Sequence, residues 1–206
     1  MYMINRLENM EISGRGALLL IRHAERPPIP EGSFGIDLPI TPKGGEESFF
    51  LGKKLGEKLR HVRSSPVRRC METASKIVSG SRQELSVTPD AMLGRPGAFI
   101  CDESVSGKNW DTFGHKGVRQ RLFYEDEPME GFYPPGQAAL NFLKHMALHL
   151  PPKGFITLFV THDIIIAAAA VRLLNLESHD KIWPDFLSGL KLRVCGQKTA
   201  VEYYRH

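Results

Sequence analysis

The chain has 206 residues, of which 42% are hydrophobic and 24% charged. That balance fits one globular domain, 1–206, with enough apolar surface to fold without staples, and it excludes a disordered chain. A formal net charge of +4 is a mild surplus, able to raise the local concentration of an anionic substrate or else without meaning, and no zinc-finger spacing or aromatic-rich basic module points to nucleic acid.

The three cysteines, Cys70, Cys101 and Cys195, form no CxxC pair and are odd in number. They point to a reducing compartment and not to a disulfide framework. The N-terminal segment carries acidic residues and lacks the apolar stretch of a secretory signal. No apolar run approaches the ~18 residues that span a membrane. A cytoplasmic location is the simplest expectation. Oligomeric state is not legible.

In chain order, Ala17 to Ile21 is an unbroken apolar run, the mark of a strand buried on both faces. Arg22 to Pro42 is rich in proline and lacks a period, so it is a loop. From Lys43, residues Phe49, Leu51, Leu55 and Leu59 recur on one helical face. Val62 to Ser64 is a short second strand. Pro66 suits a helix start, and Val67 to Val78 follows as a helix. Leu85 to Thr88 is a candidate third strand. Ala91 to Gly136 is dense in glycine, proline and aromatics, and reads as an irregular region able to shape substrate specificity, or as a packed excursion around a short helix. Within it Trp110, Phe113, Phe132 and Tyr133 suggest an apolar wall or plain core packing. Gln137 to Leu150 has helical period and Pro151-Pro152 ends it. Phe155 to Val160 is a strand and Asp163 to Leu176 a helix. Gly189 to Cys195 and Thr199 to Tyr204 form a terminal strand pair joined at Gly196-Gln197. Alternating strands and helices predict an α/β fold: a three-layer α/β/α sandwich with a mostly parallel central sheet.

Two loops follow the two strongest strands: Arg22-His23-Ala24-Glu25-Arg26-Pro27 and Thr161-His162-Asp163. Ligands of parallel sheets bind beyond the carboxyl ends of the strands, so both histidines belong on one sheet edge. The helix after the second strand brings Arg68 and Arg69 toward it. Guanidinium groups grip phosphate oxygens with planar, permanent charge. A neutral imidazole is a nucleophile, and neighbouring guanidinium charges disfavour imidazolium. Asp163, beside a phosphate dianion that raises its pKa, is the natural acid for a leaving alkoxide. His145 and His149 stand at i, i+4 but no third metal ligand accompanies them in sequence, so a helix surface is the better reading. Cys70 lacks an arginine six positions on, where Lys76 stands, and this disfavours a cysteine phosphatase. No metal or organic cofactor is called for.

These residues resemble the histidine phosphatase superfamily, with its phosphoglycerate mutase-like fold. The likeness rests on ALLLIRHAER, on Ile40-Thr41-Pro42-Lys43-Gly44, on the Ser64-Ser65-Pro66 segment leading to Arg69 and Thr73-Ala74, and on FITLFVTHD. It covers most of the chain outside 91–136. It implies that His23 is phosphorylated and that Arg22, Arg69 and His162 hold the phosphate. Arg26 and Pro28 match the Arg-His-x-x-Arg-x-Pro motif of the acid-phosphatase branch, whose closing His-Asp makes Asp163 the proton donor. The mutase-like branch instead places a glutamate donor after the third strand, where this chain has Asp102 and Glu103. The implied activity is phosphomonoester hydrolysis of a small metabolite or sugar phosphate without metal. A mutase-like phosphotransferase and a non-catalytic phospho-ligand-binding module are the alternatives.

Overall fold

The computed structural model describes residues 2–4, 16–33, 35–178, 183–195 and 198–206. Seven strands form one sheet: β1 (Tyr2–Ile4), β2 (Ala17–Arg22), β3 (Leu59–Ser64), β4 (Val87–Pro89), β5 (Ile156–Thr161), β6 (Gly189–Cys195) and β7 (Lys198–Tyr204), in the order β1-β7-β6-β2-β5-β3-β4. Five helices accompany them: α1 (Pro42–Leu55), α2 (Arg68–Ser81), α3 (Glu103–Tyr124), α4 (Pro135–Ala147) and α5 (Asp163–Leu174). Strands β2, β5, β3 and β4 run parallel, while β6, β7 and β1 add antiparallel pairs beyond β2. The expected α/β fold is present, and its parallel part carries the site.

Alternation along the central strands builds the layers. Leu18 and Leu20 of β2 and Phe159 of β5 join a core with α3, α4 and α5. Leu19 and Ile21, with Leu158 and Val160, join the opposite core with α1 and α2. Successive side chains of a strand face opposite ways, so a run apolar throughout must be covered twice.

Helix α1 starts where the sequence dictates. Thr41 Oγ1 accepts the Gly44 N–H at 3.0 Å, and Pro42 occupies the first turn, where its missing N–H costs nothing. The helix stops at Gly56, whose φ is +48°. Leu59, read as part of its apolar face, therefore opens β3 instead. Its spacing was compatible with either element, and the glycine at positive φ decided between them. Contact between α1 and α2 depends on small residues. A Cβ on Gly52 would stand 2.0 Å from the Ile77 carbonyl, and one on Gly80 2.0 Å from the Phe49 carbonyl. The two backbones touch at both points.

The 91–136 region departs from the irregular reading: residues 103–124 are helical. Asp102 caps α3 by accepting the Ser104 N–H at 2.9 Å. Val118, Leu122 and Phe123 bury one face of the helix. Gly114, at φ +61° and ψ 174°, breaks the helical path, so α3 is two runs joined at a kink. Its glycines and weak amphipathic pattern hid it in the sequence. Helix α4 ends at Ala147, three residues before the expected Leu150, and α5 ends at an Asn175 in the left-handed conformation. The Gly196-Gln197 junction lies outside the described residues. Among the described residues no helix is long and apolar enough to cross a membrane.

Gly52→Ala tests the α1–α2 contact. The change raises helix propensity by about 1 kcal/mol. Overpacking against backbone costs about 1–3 kcal/mol and should outweigh that gain. Urea melts should show a net loss of stability for Gly52→Ala; a stabilised variant would contradict the contact.

Candidate active site

Register brings the loops together. Arg22 at the end of β2 pairs with Thr161 of β5, and Ser64 of β3 with Val160. The His23 N–H then donates to the Thr161 carbonyl at 2.9 Å, and the Ser65 N–H to that of Val160 at 2.9 Å. The chain leaves β2 toward β3 and leaves β5 toward β6, so β2 and β5 flank the point where strand order reverses. A crevice forms at such a point.

The loop after β2 is pinned from both helices on its face. Thr73 Oγ1 accepts the Ala24 N–H at 3.0 Å and donates to the Arg69 carbonyl at 2.7 Å. Thr41 Oγ1 donates to Glu25 Oε1 at 2.9 Å, and the Thr41 N–H reaches the Glu25 carbonyl. Gly44 permits this approach, since a Cβ there would meet the Glu25 carbonyl oxygen at 2.6 Å. The motif residues Thr41, Gly44 and Thr73 thus hold His23 in place.

His23 is 2% exposed. Its Nδ1 lies 2.8 Å from the Ala24 carbonyl, which can only accept, so Nδ1 carries the proton and Nε2 the lone pair. Arg69 Nε donates to that Nε2 at 3.0 Å. The same guanidinium reaches the Gly35 carbonyl and His162 Nδ1, at 2.7 and 3.2 Å. His162 consequently carries its proton on Nε2, which faces Ser65 Oγ at 3.1 Å. Gly94 makes room: a Cβ on it would stand 2.7 Å from His162 Nε2.

Burial, then the neighbouring His162, Arg69 and Arg22, hold His23 well below the ordinary histidine pKa; its contact to Ala24 opposes this. Burial, then Arg69, Arg22 and Arg26, push His162 down to about 3. Both rings are neutral near pH 7. Burial also pushes Cys70 up to about 12, which leaves it a thiol and unsuited to attack.

Asp163 opens α5. Its Oδ2 pairs with Arg22 NH2 at 2.8 Å, and its Oδ1 accepts the Ile164 N–H at 2.8 Å. Arg22 also donates to the Pro184 carbonyl and stacks on Phe186, 4.2 Å from the ring centre. Arg22 Nε and Arg26 Nε are buried with no partner among the described residues. His23, Arg26, Arg69, His162 and Asp163 line one cleft of about 350 Å³, with Trp110, His115 and Arg119 from α3. Such a cleft concentrates guanidinium donors about two neutral imidazoles and one carboxylate, a set suited to a tetrahedral dianion.

Asp102 and Glu103 stand apart from that lining. Asp102 caps α3 and also accepts from Ser104 Oγ at 2.6 Å, and Glu103 faces Arg95 at 3.9 Å. Arg68 is engaged with Glu72 at the surface. Of the four aromatics, Trp110 and Phe132 line a pocket beside the cleft, while Phe113 and Tyr133 are exposed. Sequence reasoning did not single out Ser65, Gly94 or Arg119. For Ser65 the paired-serine motif was the signal; Gly94 and Arg119 had none.

His145 and His149 do acquire a third neighbour, which corrects the sequence reading. Asp90 joins them with ligand atoms all within 4.8 Å. Its carboxylate is already committed to Arg63 Nε at 2.8 Å, His145 Nε2 at 2.7 Å and the Met92 N–H at 3.0 Å. A cation there would have to displace a guanidinium. The cluster reads as a hydrogen-bonded brace between β3, β4 and α4.

Fold and cleft define a phosphate-handling α/β protein. The model of the histidine phosphatase superfamily (branch 1) matches residues 18–188, and the chain belongs to that family of phosphatase enzymes. The acid-phosphatase likeness is thus confined to the short motifs around His23 and His162. Solved structures with the same fold include the α-ribazole phosphatase of Shigella flexneri (16% identity, 92% of this chain and 96% of that one, TM-score 0.60). A phosphoglycerate mutase of Bacillus anthracis matches at 16% identity over 93% of each chain, TM-score 0.61. A mycobacterial glucosyl-3-phosphoglycerate phosphatase matches at 17% identity over 92% and 98%, TM-score 0.59. Comparison with curated proteins finds no match.

The depressed histidine pKa values have a consequence for stability. The unfolded chain takes up a proton on His162 near pH 6.5, while the folded chain resists until about 3. Stability should therefore fall as pH drops below 6.5, by up to about 1.4 kcal/mol per pH unit for each such histidine. Urea midpoints between pH 7 and 4.5 should decline more steeply for wild type than for His162→Asn; equal slopes would contradict the burial of a neutral ring.

Proposed function

We propose that the chain hydrolyses small phosphomonoesters in two steps through a phosphohistidine at His23. The observation that carries the reading is the His23 ring itself. Its Nδ1 proton is committed to the Ala24 carbonyl, so the lone pair of Nε2 is presented toward Arg69.

In the first step the phosphate enters among Arg22, Arg26, Arg69 and His162. Arg69 turns its donors from His23 Nε2 to phosphate oxygens and frees the lone pair. Arg22 Nε and Arg26 Nε, buried without partners among the described residues, gain acceptors. The Nε2–P bond forms as the ester P–O bond breaks, and the Asp163 carboxyl gives its proton to the leaving oxygen. In the second step a water attacks phosphorus, its proton passes to Asp163, and the N–P bond breaks to release phosphate. Arginines aimed at the phosphoryl oxygens stabilise charge in both steps. Asp163 is favoured over Asp102 and Glu103 because it lines the cleft with His23 and is bonded to Arg22. A reducing, cytoplasmic setting is proposed from the free Cys70 and Cys101.

Two measurements test the scheme. With a chelator present, wild type should hydrolyse p-nitrophenyl phosphate and His23→Ala should not; a requirement for added metal, or an active His23→Ala, overturns the phosphohistidine. Asp163→Asn should slow hydrolysis of alkyl phosphates by about 10²–10⁴-fold, the usual contribution of a general acid. The loss should shrink with a nitrophenyl leaving group, which needs little protonation. An equal loss on both esters sinks the assignment of Asp163.

A further inference from the structure

A second pocket of about 150 Å³ adjoins the phosphate cleft. The two share Trp110, His162 and Ile164 as lining residues, so they meet at the ring proposed to hold the phosphate. Beyond that shared wall the pocket is built from Phe99, Ile100, Leu122, Phe132 and Ile165. The His162 ring is neutral, and the one charged lining residue among the described residues is Arg95, an exposed side chain that faces Glu103 at 3.9 Å. Glycines keep the space open. A Cβ on Gly97 would stand 3.2 Å from Ile165 Cδ1, and the residue holds φ +97°, a conformation costly for any side chain.

A polyhydroxylated leaving group would lose its water here and find almost no hydrogen-bond partners, at a cost of about 1–3 kcal/mol per group. An apolar group loses nothing and gains about 25 cal/mol for each Å² buried. The volume equals that of an apolar cavity able to admit a benzene ring, about 150 Å³. We propose that this pocket seats the leaving group, and that the enzyme's substrates are phosphomonoesters of apolar alcohols or phenols carrying an aromatic or six-carbon cyclic group next to the ester oxygen. The proposal rests on the hydrolase reading of the cleft and narrows it away from sugar phosphates. Trp110, which lines both spaces, is the aromatic side chain a bound ring would pack against, and Ile100, a partly exposed lining residue, would limit how large a ring enters.

The test separates pocket from chemistry by using ligands that cannot react. Benzylphosphonate and ethylphosphonate share a phosphonate head and differ in the apolar group. Calorimetry on wild type should give at least about tenfold tighter binding of the benzyl compound, the discrimination an apolar pocket commonly achieves. Ile100→Trp fills the rim. It should abolish that preference and leave the affinity for inorganic phosphate unchanged. Ile100→Ala, which cannot block the pocket, should keep the preference and so control for damage to the fold. Equal affinity of the two phosphonates in wild type, or a preference that survives Ile100→Trp, overturns the proposal. Turnover of benzyl and ethyl phosphate is read separately. Hydrolysis of both at equal kcat/KM sinks the pocket and spares the hydrolase. A benzyl preference in binding with no turnover of either ester sinks the hydrolase and spares the pocket.

Discussion

The hydrogen bond between His23 Nδ1 and the Ala24 carbonyl decides which nitrogen of the ring can react, and much of the surrounding structure serves to hold it. Ala24 is fixed through its N–H by Thr73 from α2. The next residue, Glu25, is gripped by Thr41 and approached by Gly44 at the start of α1. Those two helices stay in register because their backbones touch at Gly52 and Gly80. The His23 ring at a strand end is thus oriented by helix contacts that begin about two turns away. Precise orientation is worth much of a catalytic barrier, so positions remote from phosphorus can matter to rate.

Electrostatics in the cleft follow from the same arrangement. The charges of Arg22, Arg26 and Arg69 act on one another, and burying like charges together is costly. Asp163 offsets part of that through Arg22. The remainder is spread over carbonyls, those of Gly35, Pro27 and Pro184. Two neutral imidazoles add no further charge, and burial among guanidinium groups keeps them neutral. In the proposed reaction a phosphate dianion would relieve the repulsion as it binds, so the positive surplus is local to the cleft. The modest net charge of the chain, +4, would not have indicated its strength.

The parts of this architecture that were legible in the sequence have strong local causes. The run ALLLI must be covered on both faces, and β2 is. The strand-end position of Arg-His and Thr-His-Asp by itself puts both motifs on one edge, and the cleft unites His23, Arg26, Arg69, His162 and Asp163. What was not legible depends on non-local packing. Helix α3 carries three glycines within it and a kink at Gly114, so its period is weak, and it depends on burying Val118, Leu122 and Phe123 in the core shared with α5. Leu59 had helical spacing yet joins a strand, because Gly56 turns the chain. Asp90 reaches His145 across 55 positions, a contact no spacing rule could supply.

Helix α3 also determines how the site can discriminate. The groups proposed to meet a phosphate come from the strand ends and the start of α2, and such groups cannot tell one ester from another. Trp110, His115 and Arg119 all come from α3 and line the outer part of the cleft. Gly114 lies between Trp110 and His115, so the kink sets the angle at which the two present themselves, and their rings stand 5.2 Å apart. On the proposed reading, selectivity falls to the segment whose sequence is least regular, and chemistry to the motifs at the strand ends and the helices that follow them. The division has a physical basis. Phosphoryl transfer demands donors at fixed distances, which rigid strand ends and the helices packed on them provide. A leaving-group pocket needs only volume and polarity, and a kinked, glycine-bearing helix can change both without disturbing the sheet.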